Sequence, residues 1–379
     1  MRDQAGGISL KSLPITGCSS GLGRALAQRL AAERPGGSPA YQVYASARSK
    51  DSLKELEAEG IRTVQLDVTS QKSVDAAVKK VVQEAGRIDL LINNAGKHRV
   101  GPIVEQPMAE VEEVMAANYF GVVRVTQAVA PHMIRQRSGL IVMIGSVVSL
   151  MATPFGAAYS ASKAALLALS DSLRLELRPF KVHVTYVVAG SIKQVLLSVL
   201  QHSVSSFSDN IARGVQVQRY ERPSSLYAPL ADMIRSRVEM SQDPKTAMPA
   251  AAAADEIAAV VNASLLPTAE PAGVADYALN KLLDLGGWAV SALGGGSSDG
   301  GASIGAPSTG APSTAGSIDG DSVAEGPPVW RARPPPGWFL AGGNARQFWL
   351  IGVAQKLLPS GWPSNGLLAK KFGLSRPLQ

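Results

Sequence analysis

The 379-residue chain is 46% hydrophobic and carries a net charge of +7, enough apolar material for a core and too much for global disorder. A single cysteine, Cys18, excludes an intramolecular disulfide and fits a reducing compartment. Residues 326–379 hold seven basic side chains and no acid, so elsewhere basic and acidic residues match in number; the excess points to an anionic surface or ligand near the C-terminus rather than to a nucleic-acid-binding fold.

SLPIT predicts a short first strand, with Pro14 an awkward member because it cannot donate a ladder hydrogen bond and is normally kept to strand ends or edges. In ITGCSSGLGRALAQRLAAE, Thr16 and Gly17 end that strand, Ser19, Ser20 and Leu22 fall in the turn, and Gly21 and Gly23 open a helix reaching Glu33. Glycines here permit positive φ and let a pyrophosphate approach the backbone, while the helix N-terminus offers free N–H groups and a favourable dipole. YQVYASAR is the second strand. It ends in Ala47 and Arg48, with Lys50 close behind, where an NAD site would place an acid; an arginine there suits a 2′-phosphate, so NADPH/NADP is the expected cofactor.

IRTVQLDVTS carries Asp67 at its end, placed either to reach an adenine ring or to cap the next turn. A helix over 71–85 follows, then the fourth strand and exit loop in IDLLINNAG, where Asn93 and Asn94 precede Ala95 and Gly96 and suit a loop whose amides brace neighbouring backbone. Asn118 lies inside the next helix although Asn is a poor helix former, which hints at a task for its amide. GLIVMIGS is a buried parallel strand closed by Ser146, at the edge where α/β sheets gather functional groups.

Tyr159 and Lys163 stand four apart in AAYSASKAALLALSDSLRLEL, hence on one helix face. An ammonium near a phenol favours the phenolate and lowers a pKa of about 10, so Tyr159 is expected to exchange a proton near neutral pH. KVHVTYVVAG is a sixth strand ending at Gly190. Sixfold alternation of strand and helix implies a doubly wound parallel α/β sheet with helices on both faces.

TGCSSGLG, Asp67, NNAG, Asn118, Ser146, Tyr159 and Lys163 stand in the order and spacing of the short-chain dehydrogenase/reductase family, which residues 10–190 resemble. The resemblance implies a Rossmann-type fold and an NAD(P)-dependent oxidoreductase. It assigns Tyr159 as acid/base, Lys163 as ribose ligand and pKa tuner, Ser146 as carbonyl ligand and Asn118 as anchor of a relay water. Ala189 departs from the family, which often has Pro-Gly after the sixth strand. Details such as VYASAR, PFGAAYSASKAAL, KTAMPAAAAADEIA and GLLAKKFGL are similar to fungal NADPH-dependent 1-acyldihydroxyacetone-phosphate reductases, a group whose pattern is largely shared by steroid and retinoid reductases. That likeness implies reduction of an acylated keto phosphate to 1-acylglycerol 3-phosphate in glycerolipid synthesis. The alternatives are a 17-beta-hydroxysteroid or retinol dehydrogenase and, of another class, a non-catalytic dinucleotide-binding protein.

The expected organisation is a catalytic domain over 1–285, a low-complexity disordered insertion over 286–328 that includes GAPSTGAPST, and a basic, Trp-rich segment over 329–379. All five tryptophans fall after residue 287. Trp with basic residues and runs such as FWLIGVAQKLL suits either a segment lying in a membrane interface or an arm packed on the core or a second subunit. The expected partners are therefore a lipid substrate, a peripheral membrane or lipid-droplet surface and a homodimer mate. The expected location is the endoplasmic reticulum or lipid-droplet surface facing the cytoplasm, with the cytoplasm itself as the alternative. No run reaches the roughly 18 apolar residues of a spanning helix, and the N-terminus lacks the apolar core of a secretory signal.

Overall fold

LLIN, GLIVMI and VHVTYVVA run on with little polar alternation, the pattern of strands covered on both faces. The computed structural model, which describes residues 10–193, 217–239, 247–265 and 338–341, places them at the centre of a parallel sheet. Strands β1 (Lys11–Ile15), β2 (Tyr41–Ala47), β3 (Arg62–Gln65), β4 (Leu90–Asn93), β5 (Gly139–Ile144) and β6 (Val182–Ala189) alternate with helices α1 (Gly21–Ala31), α2 (Lys54–Ala58), α3 (Gln71–Ala85), α4 (Met108–Met115), α5 (Gly121–Gln136) and α6 (Ala157–Leu177). The sheet order is β3-β2-β1-β4-β5-β6, extended by one further strand beside β6. The doubly wound fold expected from the alternation is thus present, and the order reverses between β1 and β4, the crevice where such sheets bind ligands.

Alternate side chains of one strand feed two cores. Ile141 and Met143 of β5 join α3, α5 and α6 in one cluster, while Leu140, Val142 and Ile144 join α1 on the opposite face. Helix α8 (Ala250–Leu265) also packs on that second face through Ala254, Ile257, Ala258 and Val261. Arg29–Asp255 at 2.7 Å and Tyr41–Asn262 at 2.8 Å tie it to α1 and β2.

Pro14 sits in a central strand, against the sequence expectation of an end or edge. Ser12 N donates to Asp89 Oδ2 at 3.0 Å and Thr16 N to Ile92 O at 3.0 Å, both toward β4. The donor that proline lacks falls between these bonds, where β1 and β4 pair only at Ile15 and Ile92. Ser12 also accepts from Asp89 N at 3.0 Å, so the even-numbered residues of β1 turn both backbone groups to β4, and the missing donor spares the full pairing with β2.

The seventh strand, β9 (Trp338–Ala341), lies within the C-terminal segment and pairs parallel with residues 186–189 of β6. The remaining residues of 329–379 and the stretch 286–328 lie outside the described residues. Just past β6, the two-residue strand β7 (Ile192–Lys193) pairs with β8 (Met248–Pro249), so the chain leaving Gly190 is anchored at the start of α8.

Residues 217–239, ending in α7 (Ala231–Glu239), cover the carboxyl edge of the sheet. Tyr220 and Ile234 pack on Val100, with Phe155 and Tyr227 around them. Glu105 accepts from Ser225 Oγ at 2.6 Å and Leu226 N at 2.7 Å, and Glu110 pairs with Arg219 at 2.9 Å. Among the described residues no helix is long and apolar enough to cross a membrane.

Candidate active site

The glycine turn after β1 is built for close approach. Gly17 and Gly21 adopt φ of 75° and 57°, conformations costly for other residues. A Cβ on Gly17 would lie 2.8 Å from Ala95 Cα, and one on Gly23 would lie 2.3 Å from Gly17 O and 2.4 Å from Asn94 Nδ2. Thr16 and Asn94 hold the two loops together: Thr16 Oγ1 accepts from Asn94 N and Ala95 N, each at 2.9 Å, and Asn94 Nδ2 donates to Thr16 O at 2.9 Å and Gly17 O at 3.1 Å. Ser20 is the N-cap of α1 in extended conformation with no side-chain cap bond, and the first turn has no acid. Its amides and dipole therefore remain free for an anion beside Ser19, Ser20, Gly21 and Leu22.

Cys18, inside this turn, is buried, and burial pushes its thiol up to about 12 despite a bond to the Ser46 backbone and the charge of Arg24. It is a packing residue rather than a nucleophile. Arg24 fastens the turn to the loop after β2, donating to Ser52 O at 2.9 Å and pairing with Glu55.

Arg48 and Lys50 are exposed at the end of β2, whose last residue, Ala47, is buried. Among the described residues Arg48 has no ion pair. Asp67 caps its own turn, Oδ1 accepting from Thr69 N at 2.9 Å and Thr69 Oγ1 at 2.7 Å. Burial raises its pKa, but these bonds and the charges of Arg48 and Lys97 outweigh that and hold the carboxyl below its ordinary value. The cradle and the uncapped helix fit the phosphates of a dinucleotide.

The other half of the site gathers around α6. Ser146, buried just beyond β5, lies close enough to the Tyr159 hydroxyl to favour its charged form. Gly145 is small because a Cβ there would lie 2.0 Å from Tyr186 Cζ; Tyr186 in turn accepts from Ser146 N at 3.4 Å and donates to Lys163 O at 3.2 Å, locking β5, β6 and α6 together. Lys163 lies one turn after Tyr159, its Nζ 5.7 Å from the tyrosine ring centre. It points to the Ile144 carbonyl at 2.7 Å.

The electrostatics correct one expectation. Burial pushes the Tyr159 phenol up, opposed by the nearby Ser146 hydroxyl and the charge of Arg237. Lys163 is itself desolvated and lowered to about 8. Its ammonium is aimed at the Ile144 carbonyl rather than at the phenol one turn away.

Asn118 is fully buried in a π-helical turn, Ala116–Phe120, between α4 and α5. The extra residue of such a turn re-aims a side chain. Its Oδ1 accepts from Lys97 N at 2.7 Å and its Nδ2 donates to Lys97 O at 2.9 Å and Ser162 Oγ at 3.0 Å. Gly96 permits this, since a Cβ there would stand 3.1 Å from Asn118 Oδ1. Gly190 lies directly after β6.

Two residues near Tyr159 carry no sequence signal. His98 meets the tyrosine ring edge-on at 4.5 Å. Arg237 of α7 reaches in from the covering segment, donating from Nη2 to Thr153 Oγ1 at 3.2 Å.

A parallel sheet bearing this glycine cradle at its reversal point, with a Ser–Tyr–Lys group beside it, defines a dinucleotide-binding α/β oxidoreductase fold. A family model described as short chain dehydrogenase matches residues 11–203, and the chain belongs to the short-chain dehydrogenase family, which binds nicotinamide dinucleotides. It is 40% identical over 190 residues to the NADPH-dependent 1-acyldihydroxyacetone phosphate reductase of Schizosaccharomyces pombe, covering 50% of this chain and 62% of that protein. It is 38% identical over 232 residues to 17-beta-hydroxysteroid dehydrogenase type 1 of Homo sapiens, covering 54% and 67%. The first match spans less than two thirds of its relative. A crystal structure of a short-chain dehydrogenase from Streptomyces avermitilis superimposes with TM-score 0.55 at 26% identity, covering 76% of this chain and 100% of that one. An NAD+-bound xylitol dehydrogenase superimposes with TM-score 0.51 at 25% identity, covering 65% and 90%.

Proposed function

We propose that this chain is an NADPH-dependent ketoreductase that reduces a lipid ketone, 1-acyldihydroxyacetone phosphate, to 1-acylglycerol 3-phosphate. The observation that carries the reaction type is the Ser146–Tyr159 hydroxyl pair at the end of β5 with Lys163 one turn further along α6. Bound NADPH supplies the hydride. The Tyr159 hydroxyl donates its proton to the carbonyl oxygen, and Ser146 Oγ donates a hydrogen bond to the same oxygen as charge develops there. Lys163 holds the ribose, and Asn118 anchors the chain through which Tyr159 is reprotonated. Thr16, Gly17, Ser19 to Gly23, Asn94 to Gly96 and Gly190 surround the cofactor. Arg48 takes the 2′-phosphate, and Asp67 frames the adenine side.

The 40% identity with an NADPH-dependent reductase supports the substrate and cofactor. The 38% identity with a steroid dehydrogenase supports a second reading in which the mechanism is the same and the ketone is a steroid. The basic, Trp-bearing tail supports work at an endoplasmic reticulum or lipid-droplet surface. The test is NADPH oxidation by the purified protein with 1-acyldihydroxyacetone phosphate in detergent micelles, beside NADH and a steroid ketone. Turnover of the acyl phosphate with NADPH is expected. Turnover of the steroid alone replaces the substrate, and inertness toward every ketone rejects the ketoreductase reading.

A further inference from the structure

Arg237 is an unusual residue to find at only 9% exposure. A buried guanidinium ordinarily has a carboxylate partner, because an uncompensated charge in the interior costs several kcal/mol. None of the described acids pairs with Arg237. Of its five N–H donors, Nη2 reaches Thr153 Oγ1 at 3.2 Å, and the buried Nε has no acceptor among the described residues. Its place is equally specific. It reaches from α7 of the covering segment to the loop between Ser146 and Tyr159; a Cβ on Gly156, the residue before α6, would stand 3.8 Å from its Nη2. It lies close enough for its charge to act on the Tyr159 phenol, and the phenol on it. The segment is held down by other residues, through Tyr220, Ile234, Ser225 and Arg219, so docking does not require Arg237.

Resting on the ketoreductase reading, we propose that Arg237 receives the anionic group of the ketone substrate, a phosphate or carboxylate, and so fixes which end of a lipid enters beside Tyr159. A planar fork with an unpaired buried Nε–H is suited to a two-point bond with such a group. Selection then falls on the covering segment and not on the basic tail. A neutral ketone leaves the guanidinium buried and unpaired, which penalises it.

The test is equilibrium binding to the full chain saturated with NADP, which blocks the cofactor's own phosphate sites. The probes are a short-chain 1-acylglycerol 3-phosphate, the same acylglycerol without phosphate, and a fatty carboxylate of equal chain length. Wild type is expected to bind at least one anion about tenfold or more tighter than the neutral lipid. Arg237→Leu should lose that preference, and Arg237→Lys, which keeps charge but not the fork, should fall between. Melting curves and NADP affinity establish that each variant is folded. Equal binding of anion and neutral lipid by wild type, or a preference intact in folded Arg237→Leu, overturns the assignment. Reduction of uncharged ketones with NADPH alongside no anion preference would reject Arg237 alone. Absence of all ketone reduction would reject the reaction, while the binding data still decide the arginine.

Discussion

The ammonium of Lys163 donates to the carbonyl of Ile144 at 2.7 Å, so the lysine is tied to the end of β5 rather than to the tyrosine one turn before it. Its burial lowers its pKa from 10.5 to about 8. Below about pH 8 both folded and unfolded chains hold the proton, and the full cost of burying the charge is present. Between 8 and 10.5 the folded chain has lost the proton and the unfolded chain keeps it, so stability rises with pH in that window. In cofactor-free protein, wild type should therefore gain on Lys163→Met by about 1–3 kcal/mol between pH 7 and 10, read by urea unfolding at each pH. A difference that stays flat or moves the other way contradicts a desolvated lysine.

Tyr159 is expected to be the proton donor. Tyr159→Phe keeps the ring and its edge contact with His98 but removes the hydroxyl beside Ser146. NADPH-dependent ketone reduction should fall by about 100-fold or more, with NADPH affinity within about threefold of wild type. Single-turnover kinetics with fluorescence titration of NADPH separates the two; retention of turnover would show that another group supplies the proton.

Arg48 projects from the end of β2 where an acid would select NAD. Arg48→Ala should weaken NADPH by about 10- to 100-fold, the worth of a charge-assisted phosphate contact, and leave NADH nearly unchanged. Titration of both cofactors checks it. Parallel loss of both would move Arg48 from the 2′-phosphate to a general role.

Gly23→Ala tests the cradle. The new methyl would be placed 2.3 Å from Gly17 O, a backbone atom with nowhere to retreat. A cost of about 1–3 kcal/mol is expected, together with loss of dinucleotide binding. Thermal melting with and without NADPH should show a lowered transition that the cofactor no longer raises.

The sheet and the dinucleotide cradle were legible because each depends on local chemistry: glycines at a strand-to-helix turn, apolar runs and Tyr–Lys spacing on one helix. Arg237 was illegible for the opposite reason. ADMIRSRVE reads as a polar surface helix, and its arginine is buried only because Tyr220 and Ile234 dock that helix on Val100. Asn118 was singled out as a helix-interior asparagine, yet nothing in ANYFG announces the π turn that aims it. Pro14 argued against a central strand, and only the partial pairing of β1 with β4 removes the conflict. Strand β9 could not be read either, since WFLA is short and its partner lies far back in the chain.

That separation has a consequence for how the protein is made. From Ala189 to Trp338 is about 150 residues, which at roughly 5–20 residues per second takes a ribosome about 7–30 s. Throughout that interval the edge of β6, written YVVA at the paired positions, has no neighbour on its outer side. Such an apolar edge invites another chain until Trp338–Ala341 is made and pairs with it.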